Sequence, residues 1–194
     1  MNIGLDGYYK IVRNMTDEAQ FGPALIFSDL AYDKGYIYGV EFTGNYKSGN
    51  FGTYANFAYN ICRAINIVAG EWSWPQDQLA YIHSHWIYLD HDAMYTASAG
   101  MNYNLSGTVL MADATFGSGL RTGFANENKL PNNVQLNLGA RRKFQLLDLG
   151  PFVARVAVVN VTDNKNVIRE TGGGVFAPQW GPRIGVYAGI SKIF

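Results

Sequence analysis

Apolar residues recur at every second position through eight separate stretches of this chain. The clearest stretch is the last. Ile184, Val186, Ala188 and Ile190 alternate with Gly185, Tyr187, Gly189 and Ser191 before the terminal Phe194. Such a period-2 pattern predicts a β-strand that is apolar on one face and small or polar on the other. Strand one carries Ile3, Leu5, Tyr9 and Ile11 on its apolar face, strand two Tyr36, Tyr38, Val40 and Phe42, and strand three Ala55, Phe57, Tyr59 and Ile61. Strand four follows with Tyr95, Ala97, Ala99, Met101 and Tyr103, and strand five with Leu110, Ala112, Ala114 and Phe116. Strand six has Val134, Leu136, Leu138 and Ala140, and strand seven Phe152, Ala154, Val156 and Val158.

The connections alternate in length. Ser48-Gly49-Asn50, Leu105-Ser106-Gly107 and Asp148-Leu149-Gly150 read as tight turns,. Long loops are expected from about residue 12 to Lys34, from Gly70 to Asp92, from Ser118 to Asn132 and from Asn160 to Pro182. Strands of about ten residues are long enough to cross a bilayer at a tilt. An even strand count with alternating short and long connections predicts an all-β fold: an antiparallel up-and-down transmembrane β-barrel segment of about eight strands. Its long loops face outward and its short turns face the periplasm. Gly, Ser, Thr and Asn dominate the second face. The few charges there, Asp6, Lys10, Glu41, Asp113 and Arg155, are expected to pair inside the barrel. Tyr36, Tyr95, Tyr103, Phe152 and Phe194 fall near strand ends, as in an interfacial girdle.

Composition sharpens this picture. Charged residues make up 15% and aromatics 14% of the chain, with 22 glycines. A soluble sandwich would carry more charge on its wet face. Zero net charge leaves no electrostatic footprint for nucleic acid,. A single cysteine, Cys62, excludes an internal disulfide and is expected in the barrel wall,. No apolar run is long enough for a transmembrane helix. Met1–Tyr9 lacks the basic and apolar regions of a secretory signal,. Ser98 and Ser118 lack the G-x-S-x-G context of a hydrolase nucleophile, so no enzymatic activity and no cofactor are expected,.

Several segments resemble the closing part of TonB-dependent outer-membrane receptors. Residues 158–164, VVNVTDN, look like that family's N-L-x-D-K segment, and residues 176–183, FAPQWGPR, like its G-x-R approach to a final strand ending on Phe. Leu89-Asp90-His91-Asp92, Gly117-Ser118-Gly119-Leu120-Arg121 and Leu130-Pro131 are also similar to receptor barrels. Asn164 stands where the family commonly has Lys, and Lys192 where an apolar residue is usual. The match covers the last eight strands of a 22-stranded barrel; plug, TonB box and signal peptide have no counterpart. The resemblance implies an integral protein of the Gram-negative outer membrane that takes up a chelated nutrient such as a ferric siderophore. It implies contact with outer-membrane lipid, with the rest of the barrel and its plug, and, through Phe194 as insertion signal, with the barrel-assembly machinery. Without a plug, the chain is not expected to transport alone. The alternative is an autonomous eight-stranded outer-membrane barrel with a structural, adhesive or binding role.

Candidate ligand contacts lie in the long loops: Trp72, Trp74, His85, Trp86, Arg121 and Trp180. The tryptophans there either stack on a ligand or anchor the membrane interface. His83, His85 and His91 with Asp90 and Asp92 are a dense set of potential ligands for zinc, copper or iron,. An extended chain would turn His83 and His85 to one side. Their spacing matches no known metal motif, and no metal site is expected.

Overall fold

The computed structural model describes residues 1–21, 26–71, 74–169 and 177–193, with side chains for all of these except 18–21 and 26–29. Eight long strands form one antiparallel meander. They are β1 (Asn2–Phe21), β2 (Ile26–Ser48), β3 (Phe51–Ala69), β4 (Tyr95–Leu105), β5 (Thr108–Gly117), β6 (Asn133–Gln145), β7 (Pro151–Val159) and β8 (Gly185–Lys192). Each pairs with its neighbours in chain order, and the short strand Ile87–Tyr88 adds to β3. Among the described residues β1 pairs only with β2 and β8 only with β7, so the sheet is open and has two edges.

Register extends the sequence alternation across the sheet. Leu5 stands opposite Phe42, Phe42 opposite Phe57, Phe57 opposite Ala97, Ala97 opposite Phe116, and Phe116 opposite Val134. Opposed residues share a face, so these six form one apolar row; Ala112, Leu138, Val158 and Val186 form another. The face they make is bare. Leu5 is 72% exposed, Ile11 75% and Val186 69%.

On the polar face, tyrosine rings lie across glycines of the neighbouring strand. A Cβ at Gly39 would stand 2.6 Å from the Tyr8 hydroxyl and 2.5 Å from the Tyr59 carbonyl oxygen. The expected internal ion pairs do not form among the described residues. Asp6 stands opposite Glu41 and Arg155 opposite Arg141, while Asp113 accepts a hydrogen bond from Asn137 Nδ2 at 2.6 Å. Period-2 spacing puts charges on one face, but register chooses their neighbours.

The tight turns lie where the alternation ends, and Ser106 and Gly107 both take positive φ, as the favoured two-residue hairpin requires,. The loop end differs more from expectation. Residues 12–21 and 26–34 are strand rather than loop, paired out to Phe21 opposite Ile26. Charged residues such as Arg13, Asp17 and Lys34 break the alternation there, and the backbone ladder sustains the pairing,. The connection after β3 contains a helix, α1 (Gln76–Ile82). That after β5 contains the hairpin Arg121–Thr122 with Asn128–Lys129, and that after β7 pairs Val167–Arg169 with Gln179–Trp180.

These additions build the buried core. It sits at the loop end, where Tyr32, Cys62, Ala64, Leu79, Ile82 and Ile87 pack together. Positive φ at Asn14 and Asn66 interrupts the alternation just there, and Met15, Tyr32 and Ile67 join the packed set. Cys62, on β3, belongs to this core together with Leu79 and Ile82 of α1.

Candidate functional site

Three connections meet over the loop end of the first strands and form a roof. Ala125 N donates to Gln78 Oε1 of α1 at 2.9 Å, Asn126 Nδ2 donates to the Tyr88 carbonyl at 2.9 Å, and Arg121 N donates to the Asp90 carbonyl at 3.0 Å. From the third connection, Arg169 reaches across to Asp90 and His91.

His91 is the point where these segments converge. Its Nδ1 lies 2.5 Å from Asp90 Oδ1 and 3.9 Å from Asp17 Oδ1, which β1 supplies. Its Nε2 faces Arg169 Nη2, whose guanidinium also stands 3.7 Å from Asp90 Oδ2. An arginine only donates, so Nε2 is the acceptor and the ring proton sits on Nδ1, toward Asp90. The Asp90 hydrogen bond holds the His91 pKa above its usual value, against partial desolvation.

Behind this cluster a polar chain runs into the sheet. Tyr8 donates to Asn60 Oδ1 at 2.8 Å, and Asn60 Nδ2 donates to Asp92 Oδ1 at 2.7 Å. Asp92 Oδ2 also accepts from Cys62 N at 3.3 Å. Asp92 is only 4% exposed, and burial raises its pKa although both hydrogen bonds oppose the shift.

The candidate loop residues do not gather in one place. His83 follows the last turn of α1 and bonds Asn66 Oδ1 through Nδ1 at 2.6 Å, whereas His85 stacks on Tyr81 with centroids 4.0 Å apart. Helix geometry replaces the extended chain that would have aligned them. Trp74 packs against the buried core. Trp86 lies 4.7 Å from the ring of Tyr36, in the aromatic row of the apolar face. Arg121 sits 3.5 Å over the Tyr88 ring, and Arg63 lies 4.0 Å from the same ring. Trp180 remains 54% exposed on its short strand. Trp72 and Phe194 lie outside the described residues. Sequence reasoning missed Asp17 and Arg169 altogether, because neither carries a local signal and only folding brings them to His91.

A second polar centre anchors the last strand. Asn160 is fully buried with φ 50°. Its Nδ2 donates to the carbonyls of Asn164 and Pro182, each at 2.9 Å, and its Oδ1 accepts from Asn164 N at 3.0 Å. Nearby, Asp163 accepts from Arg183 Nε at 2.7 Å, from Arg183 Nη2, and from Ile184 N at 3.0 Å. Arg183 and that backbone N–H hold the Asp163 carboxyl down at about 2. The VVNVTDN and GPR segments are thus bonded to each other at the entry to β8.

Compared with models of known protein families, the chain matches none, and no curated protein matches it significantly.

Proposed function

We propose that this chain is the carboxy-terminal barrel part of a TonB-dependent outer-membrane receptor, non-enzymatic, whose intact form takes up a chelated nutrient such as a ferric siderophore. One observation carries the reading: along one face of a long antiparallel meander many large apolar side chains, among them Leu5, Ile11, Met101 and Val186, are exposed. Water-soluble proteins rarely leave so large a continuous apolar surface uncovered, and hydrocarbon is the solvent it suits.

Aromatic side chains bound this face. Tyr9 stacks on Tyr38, Tyr38 on Tyr36, and Tyr59 packs against Tyr95, while Tyr46 with Phe51 and Phe144 with Phe152 lie toward the hairpin end. From Tyr36 to Tyr46 is 46 − 36 = 10 residues on β2. That is about 33 Å along the strand, or about 25 Å at the usual tilt, the height of an outer-membrane apolar band. The roof of loops then stands beyond the lipid, where Trp180 and its hairpin are open to a ligand. Two unpaired edges call for further strands, which the rest of a receptor barrel supplies.

The test is genetic and biochemical together. Deleting the gene from its host should abolish growth on one class of ferric chelate, and the loss should be no greater in a strain already lacking TonB. The protein should fractionate with the outer membrane and resist carbonate extraction. Undiminished growth on every ferric chelate tried would contradict the transport reading. Recovery in the soluble fraction would contradict the membrane reading. A disulfide formed between cysteines placed on β1 and β8 would instead favour a small self-closed barrel.

A further inference from the structure

We propose that Asp17, Asp90 and His91 form a binding site for a divalent transition-metal ion, filled in exchange for the Arg169 contact. Their ligand atoms all lie within 4.8 Å of one another. An imidazole nitrogen with two carboxylates is a donor set suited to zinc and its neighbours in the first transition row. The donors come from two segments distant in sequence, β1 and the connection after β3, so the site exists only in the folded protein. Asp17 is mostly covered and His91 about half exposed, which leaves the cluster reachable from solvent.

Hydrogen-bond direction at His91 supplies the exchange. Nδ1 faces both carboxylates and Nε2 faces Arg169. A metal on Nδ1 needs that nitrogen's lone pair, so the single ring proton must move to Nε2. There it meets the Arg169 guanidinium, which has no acceptor to offer it. Metal on one side of the ring and the Arg169 hydrogen bond on the other are therefore mutually exclusive. Binding frees Arg169 from His91 and loosens the hold of the Val167–Arg169 hairpin on the roof. Arg169 keeps its weaker approach to Asp90 Oδ2. Of the other charged groups nearby, Arg121 donates its backbone N–H to the Asp90 carbonyl. The inference needs the fold alone and is independent of membrane location and of any transported ligand.

The test is titration of the full chain in detergent micelles with cobalt(II), followed by visible absorption and calorimetry, with zinc as competitor. One ion per chain is expected. His91→Ala and Asp17→Asn should each weaken binding by at least about tenfold, while His83→Ala and His85→Ala should leave it unchanged. Arg169→Gln should strengthen binding several-fold, because the competing hydrogen bond is weakened. Equal losses from the His83 or His85 variants, or wild-type affinity in Asp17→Asn, would overturn the site. Weaker binding in Arg169→Gln would overturn the exchange. Should His91→Ala lose its β-sheet circular dichroism, Asp17→Asn decides, since β1 keeps its backbone ladder without that carboxylate.

Discussion

The Asn160 side chain ties the turn at Asn164 to Pro182 at the loop end. A left-handed backbone costs an L-residue about 1–2 kcal/mol, and here it is repaid by hydrogen bonds to Asn164 and Pro182. Asn160→Ala leaves two carbonyls without their donor and should lower stability by about 2–4 kcal/mol. Asn160→Gly relieves the backbone but not the hydrogen bonds, and should recover only part of that loss. Denaturant midpoints for the two variants check this, and equal midpoints would contradict it. Asp163 makes a pH prediction. Its folded pKa of about 2 lies below the ordinary unfolded value of about 3.9,. Its stabilisation is thus fully present above about pH 4 and is lost as pH falls through about 2. Following the Ile184 amide by NMR should show a transition near pH 2 that Arg183→Gln moves upward. These residues stand in the VVNVTDN and GPR segments, which are legible as motifs in the sequence, but their mutual bonding is not visible there. Asp17 and Arg169 are less legible still, since neither repeats, clusters nor alternates.

Among the elements, the strands were readable wherever burial differs between two faces, and unreadable wherever it does not. Alternation marks β4 to β8 almost to their ends, and the Gly-containing turns mark the hairpins. Residues 12–34 read as loop because Arg13, Asp17, Asp33 and Lys34 break the pattern, yet the ladder between β1 and β2 continues out to Phe21 opposite Ile26. Helix α1 escaped for another reason. It has seven residues and no side-chain N-cap, so it is too short to be stable or recognisable by itself. Leu79 and Ile82, both buried, hold it against β3. Ile82→Ala should cost about 2–5 kcal/mol locally. Hydrogen exchange should quicken at Leu79 and His83, while the β4–β5 hairpin keeps its protection. Uniform loss of protection across both regions would show that α1 is not a separable cap.

Among the described residues the molecule is a sheet with a roof: an exposed apolar face over its lower part, a packed core at the loop end, and two open edges. This division fits a composition low in charge and rich in aromatics and glycine. Many of its large apolar residues are exposed while a smaller set packs the core. The central claim is that this face meets lipid. It is tested most directly by single cysteines, in a Cys62→Ala background, at Val40, Glu41, Phe42 and Thr43 on β2 and at Arg155, Val156, Ala157 and Val158 on β7. Each carries a fluorophore, and the protein is inserted into vesicles containing nitroxide-labelled lipid. Strong quenching is expected at Val40, Phe42, Val156 and Val158, and weak quenching at Glu41, Thr43, Arg155 and Ala157, which alternate with them. Quenching that is uniform along each strand, or strongest at Glu41 and Arg155, would contradict it.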